Sequence, residues 1–87
     1  MGMPCEVNSV LKLKPKQGYP RVLQLGDRHQ VQKESYRIFP LDVPICLVDE
    51  NWQAHADIAI EKLTWEEQIT RLQFRIERVY ERPFAVQ

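Results

Sequence analysis

The chain has only three glycines, two cysteines and no net charge in 87 residues, and each scarcity closes off a class of function. Gly2, Gly18 and Gly26 do not form the glycine-rich loop that cradles a phosphate chain. Cys5 and Cys46 are too few for a disulfide scaffold and lack the C-x-x-C spacing of a redox or zinc motif. Cys46 lies within Ile45-Cys46-Leu47-Val48 and reads as a small buried hydrophobe. The longest uncharged apolar run, Val43 to Val48, falls far short of the roughly 20 residues a membrane helix needs. The opening residues lack the basic start and apolar core of a signal peptide, and Glu6 stands where a myristoylation signal wants Ser or Thr. With unpaired thiols, these features predict a cytoplasmic protein without a membrane partner.

Catalytic constellations are equally scarce. Ser9 and Ser35 sit in no Gly-x-Ser-x-Gly elbow, Cys5 has no neighbouring His, and the adjacent Glu66 and Glu67 would point to opposite sides of a strand. An enzyme is therefore not expected, nor is a cofactor. His55 and Asp57 would share one strand face and, with Glu61, could offer nitrogen and oxygen to a metal. A zinc site needs three or four converging ligands, and His29 has no spacing relation to the pair, so the three read as an exposed polar face.

What the chain does contain is a globular composition, 44% apolar and 28% charged. Its length allows one domain with a modest core, burying roughly 60–65% of the unfolded surface. Alternation of period two runs through most of it. Cys5, Val7, Ser9, Leu11 and Leu13 read as the inward face of a first strand, interrupted only by Val10. Arg21–Leu25 and Arg28–Gln32 flank Gly26-Asp27 in the form of a hairpin with a type II′ turn. Lys33-Glu34-Ser35 reads as a reversal, and Tyr36–Phe39 as a short strand stopped by Pro40. Pro40 and Pro44, lacking backbone donors, place Ile45–Val48 at an edge, a bulge or a connection. Ala54, Ala56, Ile58 and Ile60 then mark a long strand in which Ala59 is neutral.

From Thr64 to Tyr80 two periods compete. As a strand, Leu72, Phe74 and Ile76 share a face; as a helix, Trp65, Ile69, Leu72, Ile76 and Val79 recur at spacings of four and three behind a Thr64-x-x-Glu67 capping box. The helix leaves Phe74 on its polar face, while the strand needs a turn at Trp65-Glu66-Glu67-Gln68 that has no Gly, Asn or Pro. The strand-rich context favours one long hairpin, Ala54 to Leu63 with Gln68 to Tyr80. The expected fold is all-β, a small antiparallel sheet or partly closed barrel of five to six strands, with an α+β fold carrying a C-terminal helix from Thr64 as the alternative.

Zero net charge conceals segregation. Residues 10–37 carry +5, residues 38–68 carry −6, and residues 69–87 carry +2. Such blocks allow cross-strand ion pairs or contact between copies. Lys12 and Lys14 share one strand face, as do Arg71 and Arg75 with Gln73 between them, and these four are the candidate binding surface. Small β-barrels bind nucleic acid with such faces and stacked aromatics, but the charge balance is unfavourable and Tyr36, Phe39, Trp52 and Trp65 suit core positions. A protein interaction module or structural subunit is the favoured expectation, with an unknown protein partner or self-association as a homodimer.

Met1-Gly2-Met3-Pro4 with Asn8, Tyr36-Arg37-Ile38-Phe39-Pro40-Leu41 continuing to Pro44-Ile45, Lys62-Leu63-x-Trp65, and Leu72-x-Phe74-x-Ile76 together resemble a family of short bacterial proteins known only as a domain of unknown function. The resemblance covers nearly the whole chain, and its Tyr-Arg-Ile-aromatic-Pro segment is its most specific part. It implies a β-hairpin at Glu66-Glu67, where the family carries turn-forming Asp and Asn. It implies no activity, cofactor or catalytic residue.

Overall fold

The stretch in which helix and strand compete is a strand. A computed structural model describes residues 7–86 and pairs β4 (Gln53–Glu66) with β5 (Ile69–Ala85) as a long antiparallel hairpin. Glu67 and Gln68 form its two-residue turn with φ of 50° and 63°. Positive φ at both central residues is the type I′ geometry that matches the right-handed twist of the flanking strands. The capping box at Thr64 therefore goes unused. Burial decides the contest, because a strand places Thr70, Leu72, Phe74 and Ile76 on one face, and all four are buried.

Three further strands complete the sheet: β1 (Val10–Lys12), β2 (Arg28–Glu34) and β3 (Pro44–Val48), arranged in the order β1-β3-β4-β5-β2. The described residues are thus all-β apart from one 3-10 turn at Pro15–Gln17. The antiparallel expectation needs one correction, since β1 pairs with β3 in parallel. The crossover that a parallel pair requires is the long excursion through β2, on the far edge of the sheet. Leu11, Leu47, Ile58, Ile60, Phe74 and Ile76 form the centre of the core.

Several local expectations gave way to longer-range pairing. Arg21–Leu25 is not a strand, and β2 pairs instead along β5, from Arg28 opposite Arg75 to Glu34 opposite Ile69. Gly26, at φ 86°, donates to the Ile76 carbonyl and so feeds the chain onto the β5 edge instead of back on itself. This register sets Val31 against Leu72 on the core side, whereas Val22 and Leu25 remain exposed. Tyr36–Phe39 reduces to a single bridge from Ile38 to Val7. The first strand is inward only from Leu11: Val7 and Ser9 are exposed, and Cys5 lies outside the described residues. Pro44 takes the first position of β3, where a missing donor costs least; Cys46–Val48 is not an edge, being flanked by β1 and β4, but its pairing with β4 shifts register between Leu47 and Val48, the irregularity expected there. Ala59 is buried.

Register shifts in the β4–β5 ladder leave Glu61 and Glu77 without partners opposite them. Bulges of this kind bend strands and strengthen their twist. The two edge strands, β1 and β2, come close enough for the Lys33 ammonium on β2 to donate to the Lys12 carbonyl on β1. No backbone ladder joins them, so the sheet is open, with a seam between its edges.

Candidate binding site

The seam gathers positive charge. Lys12 lies on β1 and Lys14 follows it. Lys33 lies on the inward face of β2, in phase with Val31, and Arg37 is fixed by donation from its Nε to the Glu34 carbonyl (3.0 Å). These four cations line a cavity of about 380 Å³ in which, among the described residues, Glu34 is the one carboxylate, and Phe39 and Trp52 supply apolar wall. Lys33 is 9% exposed, and among the described residues no carboxylate lies within ion-pair distance of it. Burial, and then the charges of Arg37, Lys12 and Lys14, push its ammonium down to about 8.

Trp52 reaches this cavity through a built turn. The Asp49 carboxylate accepts the backbone N–H groups of Asn51 (2.9 Å) and Gln53 (3.0 Å) and pairs with His55 at 2.7 Å. Burial opposes ionisation of Asp49, yet His55, Gln53 and Asn51 together hold its carboxyl below the usual range. Within that turn Trp52 adopts φ 61°, a conformation that strains a bulky residue. The Lys12 ammonium sits 4.2 Å from the centre of its ring, a cation–π contact.

A second cleft of about 660 Å³ adjoins the first and shares Gln17 with it. Lys16, Lys62 and Arg71 line it, with Gln30, Gln32 and Thr64, and among the described residues no carboxylate does. The 3-10 turn serves both cavities. The Gln17 amide closes onto the Lys14 N–H (3.0 Å), and Gly18 follows at φ 103°, where a Cβ would stand 3.1 Å from Val31 Cγ1. Glycine therefore lets this turn lie against β2, with Lys14 on one cavity and Lys16 on the other.

Of the four basic residues anticipated as a surface, the fold joins Lys12 and Lys14, places Arg71 in the adjoining cleft, and removes Arg75. The Arg75 guanidinium is held by Glu77 and by Glu61 (3.3 Å), the two bulged glutamates, so its charge is already matched. Glu61 also accepts from Gln73 (3.1 Å) and Arg28 (3.0 Å), which hold its carboxyl low although burial opposes them. Sequence reasoning missed Lys16, Lys33, Arg37, Lys62 and Trp52. One signal was legible: continuing the alternation His29-x-Val31 by two residues puts Lys33 on the inward face.

The His55, Asp57 and Glu61 trio is divided among other partners. His55 turns to Asp49, Asp57 accepts from the Tyr80 hydroxyl, and Glu61 faces its arginines. Cys46 is half-buried and not a core residue, with its Sγ 3.6 Å from the Tyr80 hydroxyl. Burial first, and then Asp57 and Cys46, raise the Tyr80 phenol. The exposed aromatics brace the hairpin. Trp65 donates from its indole to the Arg37 carbonyl (2.8 Å), and the Tyr36 hydroxyl accepts from the Gln68 N–H (3.0 Å).

These features define a small β-domain with an open five-stranded sheet, whose described surface concentrates cations in two cavities that share Gln17. The chain belongs to the family catalogued as Domain of unknown function DUF2584, whose pattern matches residues 1–80. Its fold is similar to the crystal structure of protein ytmB from Bacillus subtilis, a structural-genomics target. The two share 24% identity over 92% of this chain and 95% of that one, with a TM-score of 0.71. No curated protein matches the chain. No helix among the described residues is long and apolar enough to cross a membrane.

Proposed function

We propose that this domain is a protein interaction module that binds and does not catalyse, and that its working surface is the cleft of Lys16, Lys62 and Arg71. The observation that carries the reading is the cleft's lining: three cations and no carboxylate in a chain of zero net charge. A cleft lined by one sign of charge focuses the field and raises the local concentration of an opposite partner. Gln30, Gln32 and Thr64 add neutral hydrogen-bonding groups that suit an extended backbone. The partner segment is therefore acidic and extended. The unpaired Cys46 fits a reducing setting, and with the family resemblance it supports a bacterial cytoplasmic protein.

Nucleic acid is the second reading, because the same cations would meet phosphates. It ranks lower because no aromatic residue lines the cleft, so unstacked bases would find no platform there. The test titrates a labelled oligo-glutamate peptide of about ten residues, and single-stranded DNA of equal charge, at roughly 50 and 200 mM salt. The expected result is salt-sensitive peptide binding that weakens at least tenfold in the Lys62→Glu, Arg71→Glu double variant. Tighter binding of the DNA would transfer the site to nucleic acid. No binding of either, with a dimer by light scattering, would assign the cleft to a second copy.

A further inference from the structure

We propose that the seam between β1 and β2 is a binding site for a phosphoryl group, held by Lys12, Lys14, Lys33 and Arg37. Three observations converge on it. The first is an excess of charge in one small cavity of about 380 Å³, where four cations meet, among the described residues, a single carboxylate, Glu34. That volume lies within the roughly 300–1,000 Å³ range of small-molecule sites. Cations crowded in this way repel one another, and an anion bearing two charges would relieve the repulsion where a single carboxylate would leave most of it.

The second observation is Lys33. Its ammonium carries three donors, and the Lys12 carbonyl takes only one of them. A lysine 9% exposed on the core side of a strand, without a carboxylate partner among the described residues, is a costly arrangement. A phosphoryl oxygen in the seam would accept from the remaining donors. Arg37 is placed to complete the cradle, because its Nε is committed to the Glu34 carbonyl and, among the described residues, no side chain takes its terminal nitrogens.

The third is the apolar wall beside the charges. Phe39 is buried at the cavity, and Trp52 is held there at φ 61° with Lys12 over its ring. Free phosphate has no use for an aromatic wall, so the ligand class is a phosphomonoester of a small organic molecule. This site is separate from the acidic-peptide cleft although the two share Gln17, and the proposal does not depend on that reading.

Thermal unfolding and calorimetric titration with inorganic phosphate and with phenyl phosphate, each against potassium chloride at matched ionic strength, test the proposal. Ligand that binds only the folded chain raises Tm, by several degrees at saturation for a domain of this size. The expected order is phenyl phosphate above inorganic phosphate, with chloride far below. Equal responses to both phosphates would keep the phosphoryl site and identify free phosphate as its ligand. Lys33→Met preserves the apolar stem and should weaken binding at least tenfold, and Arg37→Gln, at the rim, should do the same without disturbing the core. The Lys62→Glu, Arg71→Glu variant should leave the phosphate response intact while losing the acidic peptide. A matched response to chloride, or full retention of phosphate binding in both seam variants, would overturn the assignment.

Discussion

Replacing Glu67-Gln68 with Asn-Gly should stabilise the protein, and the sign of the effect distinguishes the hairpin from the helix that the same residues could have formed. Both turn residues sit in the left-handed region, at φ 50° and 63°, and neither is glycine. That conformation costs an L-residue roughly 1–2 kcal/mol. Asparagine tolerates it and glycine removes the penalty, although glycine's extra freedom in the unfolded chain returns about 0.5–1 kcal/mol. The net expectation is a gain of about 1–2 kcal/mol, or a Tm rise of roughly 5–10 °C for a domain of this size. The bonds that seat the turn use main-chain atoms of residue 68, whose carbonyl accepts from the Ser35 N–H (2.7 Å) and whose N–H reaches the Tyr36 hydroxyl (3.0 Å), so they survive the exchange. Urea and thermal unfolding followed by far-ultraviolet circular dichroism would measure it. In a helix running from Thr64, glycine would instead cost about 1 kcal/mol. An unchanged or lowered Tm would refute the type I′ turn and the strain argument built on it.

Two pH-dependent outcomes follow from the buried charges. Lys33 binds its proton less tightly folded, at about 8, than unfolded, near 10.5, so between those values the unfolded chain holds more protons and stability rises with pH. Relative to Lys33→Met, the native protein should gain about 1–2 kcal/mol from pH 8 to 10 after allowance for solvent in the open seam, measured by urea unfolding; parallel profiles would disprove the cation crowding. Asp49 has the same sign in a more acidic window, since its folded carboxyl is held low and its stabilisation is present above the ordinary carboxylate range and lost as pH falls through its folded value. Asp49→Asn should cost about 1–2 kcal/mol at neutral pH, and the difference from the native protein should shrink as pH falls below the ordinary carboxylate range; a constant difference would show that the carboxylate's charge plays no part.

Local pattern was enough for the strands that form the centre of the sheet. Ala54, Ala56, Ile58 and Ile60, and Leu72, Phe74 and Ile76, alternate in the sequence and are buried in the structure, because a strand's period of two is a property of the backbone itself. The same residues favoured the all-β class over a C-terminal helix, and the burial of Phe74 in the structure decided it. Pairing partners were not local. The Gly26-Asp27 signal describes a sound hairpin turn, but whether Arg28–Glu34 folds back on Arg21–Leu25 or lies along β5 depends on the apolar face β5 offers some forty residues later.

The basic surface divides in the same way. Sequence alone established that cations are concentrated before Ile38 and again after Gln68, and it named Lys12, Lys14, Arg71 and Arg75. Tertiary structure decided which of them remain unmatched. Bulges at Glu61 and Glu77 bring carboxylates to Arg75, while the open seam brings Lys33 and Arg37 to Lys12 and Lys14 with, among the described residues, only Glu34 as a carboxylate. The reason is physical: a side chain's direction follows from its own backbone, but the charge that meets it belongs to whichever strand the register sets alongside.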